Sequence, residues 1–529
     1  MTFDFTGAIT ALREVLGDEG MRIEAEDIAE FRDPYTFKDW DKYVPSAVVQ
    51  PASVEEVQAV VRIANEFKIP IWTNSRGKNN CYGGSAPRVN GSIVMNLARM
   101  NKIIEVNEAN GSVIVEPGVS FAQLYDHFKA NNIKMWVDAP DLEWGSIVGN
   151  TLDHGYGYTE YGDHASAACG MEVVLADGSL IRTGQGALPP GKSWNLHNRG
   201  FGPTADGIFM QSNFGIVTKM GVWLMPEPET WRACWIAVPE AADLGALVEL
   251  VRPLVLDGTL MNIVTIGNAM VFATAASKRT DWYDGEGAMP PDVLRNICDT
   301  MDIGMWNARA CIYGPEEVVE AKFRVLERAV AKLPGAKLVS RKYPGSATRD
   351  EVNPADQIPG GHPNMDLVSM FDWAGAEKGG HVGFAPVCPL TAKDATILSD
   401  MTKAALDSRG LDYGAAFLVT PRSLLLVTLV MFDTENEREV RDAYELCDLL
   451  IRQASAAGYG EYRSHPDFMD LVEAQFSFND HALRKFNQKL KDTLDPNGIL
   501  SPGRHGIWPS SMEHMRRDPD AKFDPTYRG

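Results

Sequence analysis

Three stretches of the chain gather small residues in a way that could hold a phosphate, two of them together with cations. Ser75-Arg76-Gly77-Lys78-Asn79-Asn80-Cys81-Tyr-Gly-Gly-Ser85 directly follows the apolar run at 69–73. Small residues let backbone N–H groups come close to an anion, and Arg76 and Lys78 would neutralise a pyrophosphate. A glycine-rich surface turn with no ligand fits the same letters equally well. Gly145-Ser146-Ile-Val-Gly149-Asn150 is a second small-residue run that could face the same ligand. A third candidate, Gly186-Ala-Leu-Pro-Pro-Gly-Lys-Ser193, satisfies the phosphate-loop pattern. Pro189 and Pro190 remove two of the N–H donors that pattern needs, and 194–200 is a poor helix start, so it is read as a loop. His381 sits between glycines in Gly379-Gly-His-Val-Gly383, where a lone histidine is ordinarily structural. Tyr462-Arg463 could bind an anion, and Asp141 is one carboxylate among 71 acidic residues. On residue type and spacing alone, none of these is decisive.

The elements that must position them are short and alternate irregularly. Ser53-Val-Glu-Glu56 is a capping box opening a helix at 54–67, with Val57, Val60, Val61 and Ala64 on one face. Strands are predicted at 69–73, 92–97 and 112–116, a helix at 121–130, and a hairpin at 171–183 turning on Asp177-Gly178. The pattern is α+β, without a regular βαβ repeat. A boundary is expected at the proline-broken 226–229, with helices at 317–333 and 391–408 beyond it. Residues 342–363 read as a long surface loop, and 516–529 as a loose tail. With 529 residues, 50 Lys+Arg and 71 Asp+Glu, the net charge is −21. Such an excess repels nucleic acid and anionic lipid over the surface as a whole. The longest apolar run, Leu424–Phe432, falls well short of the ~20 residues of a membrane span. Met1–Gly17 carries Asp4, Arg13 and Glu14 among its apolar residues, unlike a secretory signal. Seven cysteines without a CxxC pair point to reduced thiols, a cytoplasmic protein and no metal site.

Taken together and in this order, the segments resemble the vanillyl-alcohol oxidase and 4-cresol methylhydroxylase family of flavoproteins, from about Phe31 to Trp508. The motifs that carry the resemblance in the first half are 45–49, 77–84, 148–151, Gly157-Tyr-Thr159 and Tyr161-Gly-Asp-His164. Gly215-Ile-Val-Thr-Lys-Met-Gly221, Asp495-Pro-Asn-Gly498 and Pro502-Gly-Arg-His-Gly-Ile-Trp508 follow. Within that family the chain is most similar to the bacterial eugenol oxidases.

The resemblance implies a two-domain α+β fold of the 4-cresol methylhydroxylase type. Residues 1–229 and 459–529 would bind FAD, with a core at about 45–226, and 230–458 would form an α+β cap over the substrate. Ser75, Arg76, Gly77, Lys78, Asn79, Asn80 and Cys81 would hold the FAD pyrophosphate. Pro140, Gly145, Ser146, Gly149, Asn150, Gly215, Ile216, Val217 and Arg504 would line the rest of the cofactor. His381 aligns with the histidine that carries FAD covalently in the oxidase members. Phe371 stands where the cresol enzyme has its flavin-bearing tyrosine, and phenylalanine has no nucleophilic atom. Tyr82, Tyr462 and Arg463 match the family's phenol-binding trio, Asp141 its active-site aspartate, and Tyr158 another pocket position.

The implied activity is oxidation of para-substituted phenols by hydride transfer from the benzylic carbon to FAD, with O2 reduced to H2O2. A cytochrome-coupled 4-alkylphenol dehydrogenase of the same fold is the alternative, and a flavin-binding protein without turnover a remote one. Several positions depart from close relatives: Ser423-Leu-Leu-Leu426, Ala165-Ser-Ala-Ala168 and His154. Gly383, Ala385 and Ala416 are small as well. If these small residues line the cavity, a larger phenol is expected; drift in packing is the other reading. The short 186–194 loop favours a homodimer.

Overall fold

Helix Val54–Phe67 shows how closely local signals are obeyed. The Ser53 hydroxyl accepts the Glu56 N–H at 3.2 Å, and the Glu56 carboxylate accepts the Ala52 N–H at 2.8 Å. Val54, Val57, Val60, Val61 and Ala64 form its buried face. The computed structural model describes residues 5–37, 40, 43–80, 82–375 and 379–524. That helix packs on a four-stranded sheet in the order Met21–Arg22, Ala47–Val49, Ile93–Asn96, Ile71–Asn74, whose last three strands are parallel. A five-stranded antiparallel sheet follows: Ile103–Asn107, Ser112–Val115, Ile216–Trp223, Ala168–Val174, Leu180–Arg182. Helix Phe121–Ala130, capped by Ser120, and the short helix Ile147–Leu152 share its core. The predicted hairpin is present, turning at Gly178 with φ +79°.

The chain then crosses into a nine-stranded antiparallel sheet. Its path is Lys337–Pro344, Thr230–Val238, Trp306–Gly314, Val264–Asn268, Ala415–Val419, Ser423–Asp433, Pro386–Pro389, Gly460–Glu461, and Gly379–Phe384 also pairs with Ser423–Asp433. Helices Leu244–Leu256, Glu316–Val330, Ala392–Asp407 and Glu437–Ala456 cover one face. Strand residues alternate between faces, so the large sheet offers a second set of side chains to the first half of the molecule. Trp136 and Met225 meet Trp231, Ala233, Cys311 and Tyr313 there, with the Trp136 and Trp231 rings 5.8 Å apart and perpendicular.

Two expectations are corrected. Residues 342–363 are not a surface loop: 337–344 is an edge strand and 358–364 is buried. The organising group is Asp356, which is 0% exposed and accepts from Trp235 Nε1, Arg341 Nε and the Tyr343 hydroxyl. The residues from 516 to 524 are docked rather than loose. Arg516 bonds Glu473 and Glu513, and Phe523 packs 5.0 Å from the Tyr444 ring; 525–529 lie outside the described residues. Gly184–Ala187 is a single 3-10 turn, and no helix begins at Lys192. Among the described residues no helix is long and apolar enough to cross a membrane.

Candidate functional site

A long cavity runs between the first half of the molecule and the second face of the large sheet. The small-residue loops form one end of it. Gly77 has φ +67°, and a Cβ there would lie 1.7 Å from Ser85 Oγ; at Gly149 it would lie 2.2 Å from Ser75 Oγ, and at Gly215 2.5 Å from Val173 Cγ1. Glycine is what lets these backbones pack so closely around the cavity. Arg76 is anchored to the scaffold: Nε donates to Trp144 O at 2.9 Å and Nη1 to Gly118 O at 3.0 Å. Burial lowers its pKa. Asn79 closes its own loop, with Oδ1 accepting from Tyr82 N and Gly84 N and Nδ2 donating to Gly84 O. Ser146 caps the 147–152 helix through Gly149 N. Lys78 is exposed at the rim.

The cavity wall carries buried polar atoms with no hydrogen-bond partner among the described residues. They are Thr73 Oγ1, Asn74 Nδ2, Asn80 Oδ1, Ser212 Oγ, Asn213 Oδ1, Arg504 Nε and both ring nitrogens of His381. An unsatisfied buried polar atom costs about 1–3 kcal/mol, so such a concentration marks a wall shaped for a large polar ligand. Arg504 is held over the Trp72 ring at 4.5 Å and donates to Thr73 O.

His381 reaches the cavity because Val382 and Phe384 take the helix-covered face of its strand. It is 1% exposed, stacked on Phe371 at 4.3 Å and 4°, with the Tyr35 ring 4.6 Å away. Burial lowers its pKa to about 3, against the opposing pull of Asp33. The ring is therefore neutral at physiological pH, the form in which an imidazole nitrogen is nucleophilic.

The aromatic end holds the remaining candidates. The Arg463 guanidinium lies 4.8 Å from the Tyr82 ring centroid and 5.3 Å from that of Tyr462, and its Nε donates to Asp153 O at 2.9 Å. Tyr156 meets Tyr462 edge-on at 6.1 Å. Asp141 is hydrogen-bonded to Tyr158, whose ring has the Arg309 guanidinium 4.9 Å above it. Burial raises the Asp141 pKa, while the Arg309 charge and the Tyr158 hydrogen bond pull it back down. Burial and the Asp141 charge raise Tyr158 well above its usual value, so it stays a donor.

The structure thus brings to one cavity Ser75, Arg76, Gly77, Lys78, Asn79, Asn80, Tyr82, Pro140, Asp141, Gly145, Ser146, Gly149, Asn150, Tyr158, Gly215, Ile216, Val217, His381, Tyr462, Arg463 and Arg504. Cys81 lies outside the described residues. It does not bring Gly383, Ala385 or Ala416 to the cavity wall. Ala385 serves through its backbone, accepting from Tyr462 N at 3.2 Å and donating to the Glu461 carboxylate. The wall opposite is made by Leu418, Val427 and Leu429. Ala165–Ala168 and His154 do not line it either, so the expectation of a larger phenol loses its basis. Leu425, among the departures, packs behind the site with Tyr156, Tyr158 and Tyr462.

Arg309, Asp138 and Glu461 were not singled out from the sequence, and His164 entered only as the end of a family motif. Arg309 had one usable signal: it lies on the opposite parity of an alternating strand whose Trp306, Ala308, Ala310 and Ile312 are turned to the helices.

Residues 45–184 match the FAD binding domain family, and residues 368–505 match the family of FAD linked oxidases, C-terminal domain. The chain is 36% identical over 507 residues to the 4-cresol dehydrogenase (hydroxylating) flavoprotein subunit of Pseudomonas putida, covering 95% of this chain and 96% of that one. Among solved structures it is similar to 4-ethylphenol oxidase from Gulosibacter chungangensis in an isoeugenol complex. The TM-score is 0.92 at 35% identity, with 97% of this chain and 100% of that one covered. Substrate-bound p-cresol methylhydroxylase gives a TM-score of 0.91 at 35% identity, with 95% and 97% covered. The unsatisfied wall atoms and glycine cradles suit an FAD, whose phosphates, ribose and ring edges accept and donate along their whole length.

Proposed function

The chain belongs to the vanillyl-alcohol oxidase and 4-cresol methylhydroxylase family of flavoproteins and is a flavin-dependent oxidoreductase; from that premise we propose an oxidase of para-substituted phenols. Its substrates would be 4-hydroxybenzylic alcohols, 4-alkylphenols and 4-allylphenols such as eugenol, with O2 reduced to H2O2. One observation carries the proposal: Tyr82, Tyr462 and Arg463 cluster at the end of the cavity that also holds Asp141 and His381. FAD, when bound, supplies the hydride acceptor.

The residues divide the remaining work. The two tyrosine hydroxyls donate to the substrate oxygen, and the Arg463 charge favours its ionised form, lowering the phenol pKa. A phenolate pushes electron density into the ring and weakens the para-benzylic C–H bond, so loss of hydride leaves a p-quinone methide. Asp141 then accepts a proton from the water that adds to the methide, its basicity raised by burial and restrained by Arg309. Residues 1–229 and 459–529 are assigned to FAD and 230–458 to the cap, and His381 to a covalent FAD link.

The test is an anaerobic screen of para-substituted phenols against the holoenzyme, followed by air. Bleaching of the flavin by a 4-alkyl- or 4-allylphenol, then reoxidation with stoichiometric H2O2, is the expected result. Bleaching without reoxidation in air would favour the cytochrome-coupled dehydrogenase, a reading supported by the likeness to 4-cresol dehydrogenase. No bleaching by any phenol would remove both.

A further inference from the structure

Behind Arg463 runs a chain of polar side chains for which the reaction outlined above has no use. Asp138 Oδ1 lies 2.8 Å from His164 Nε2. His164 Nδ1 lies 3.2 Å from Asn150 Nδ2, and Asn150 Oδ1 is 3.5 Å from Arg463 Nη2. Neither Asp138 nor His164 lines the cavity, and His164 is 4% exposed. The backbone is shaped around this chain. A Cβ at Gly155 would sit 1.3 Å from Asn150 Oδ1, and one at Gly157 would sit 1.5 Å from Asp138 Oδ1 and 2.7 Å from His164 Nε2. The glycines of Gly155-Tyr-Gly-Tyr158 therefore leave room for the chain while their tyrosines face the cavity. Phe121 stacks on the His164 ring at 5.6 Å and 29°.

Both ends of this chain have fixed polarity, and together they determine everything between. An arginine can only donate, so Asn150 must turn its oxygen to Arg463 and its NH2 to His164. His164 Nδ1 must then accept, which leaves the ring proton on Nε2, pointing at Asp138. At the far end Asp138 Oδ2 accepts from the Thr159 N–H at 2.9 Å and from the Thr159 hydroxyl. A carboxylate satisfies this with acceptors on both sides; an amide does not.

We propose that Asp138 and His164 are positioning residues for the phenolate site, setting the orientation of the Asn150 amide and through it the aim of the Arg463 guanidinium. The inference rests on the phenol-binding reading of Arg463 and deepens it. It makes a directional prediction for a change of one atom. In Asp138→Asn the Thr159 N–H still demands an oxygen, so the new NH2 faces His164. The ring proton must move to Nδ1, Asn150 must present its oxygen to it, and the Asn150 NH2 then opposes Arg463.

The test uses FAD-loaded wild type, Asp138→Asn and His164→Phe, which keeps a ring against Phe121 without nitrogens. The probe is 4-nitrophenol, which has no benzylic hydrogen and whose phenolate absorbs separately from the neutral phenol. Wild type is expected to hold it as phenolate, and both variants to retain FAD while losing about tenfold in preference for the phenolate over the phenol, equivalent to one pK unit. Nitrogen NMR of labelled histidines should show His164 as the Nε2–H tautomer in wild type and Nδ1–H in Asp138→Asn. Folded, FAD-loaded variants with an unchanged bound-phenol pKa would overturn the proposal, as would an Nδ1–H tautomer in wild type. Failure of wild type to bind 4-nitrophenol as phenolate would instead strike the phenol-binding reading, and the tautomer result would still decide the Asp138–His164 chain. If Asp138→Asn does not fold, His164→Phe carries the same phenolate test.

Discussion

Glu461 precedes Tyr462 and Arg463, and its carboxylate is the most exposed weakness of the site's foundation. It is 8% exposed, and among the described residues both oxygens accept only the Ala385 N–H and no cation offsets it; burial raises its pKa to about 8. In the unfolded chain it titrates at its ordinary value near 4.5. The folded state therefore binds the extra proton between these two values, so stability is greatest below the lower one and falls as pH rises toward the upper one. At ~1.4 kcal/mol per pH unit, wild type should lose on the order of 3–4 kcal/mol from this residue between about pH 5 and pH 9. Glu461→Gln keeps the shape and removes the titration. Comparing the unfolding temperatures of the two proteins across that range cancels every other titrating group. The difference should move in favour of the variant as pH rises, by several degrees in all. A difference that stays flat with pH would refute the reasoning, because it would mean that Glu461 is ionised in the fold or solvated there.

Three other changes probe the cavity. Arg309→Met removes the charge that restrains Asp141, so the Asp141 pKa rises further and the acid limb of the pH–rate profile should move to higher pH; an unmoved limb would show that Arg309 does not act on it. His381→Ala should release all flavin on acid denaturation, whereas in wild type flavin fluorescence should stay with the polypeptide. Free flavin from denatured wild type would end the covalent assignment. Gly118→Ala would push a Cβ to 2.6 Å from both Ala98 O and Met100 O and 2.8 Å from Leu97 O, all backbone and unable to yield. Since Gly118 O also holds Arg76, the variant should lose about 1–3 kcal/mol of stability and part of its flavin, read by denaturant unfolding and bound absorbance.

What the sequence disclosed and what it withheld follow from how far each signal reaches along the chain. Caps, turns and helix faces depend on neighbours within about four positions, and the 54–67 and 121–130 helices and the 171–183 hairpin were read off directly. The cavity loops were legible as loops, but from pattern alone a pyrophosphate site and an empty turn were indistinguishable. What the sequence could not show is that these loops share a cavity wall with the unsatisfied atoms of Ser212, Asn213, His381 and Arg504, far away in sequence. The same limit explains the misreading of 342–363. Its prolines and charges look solvated until Trp235, Arg341 and Tyr343 are seen to converge on Asp356.

Side-chain partnership is the least legible level, and the site shows why. Arg76 was expected to serve an anion, and nothing in the sequence signals that two of its donors are held by the Trp144 and Gly118 carbonyls. Arg309, unremarked in an apolar strand, reaches Tyr158 and Asp141 because residues of the opposite parity face the helices. A β-strand's period of two tells which face a residue takes but never what lies across from it. Here the large sheet supplies His381, Leu418, Val427 and Leu429 to the cavity from three separate strands and Arg309 to the Tyr158 ring behind it from a fourth, and each faces that way because at least one chain neighbour is drawn into the helix-covered core. The packing of that core, on the far face of the large sheet, is thus what sets the sheet side of the cavity. Overpacking it from the helix side should displace cavity side chains without touching one of them.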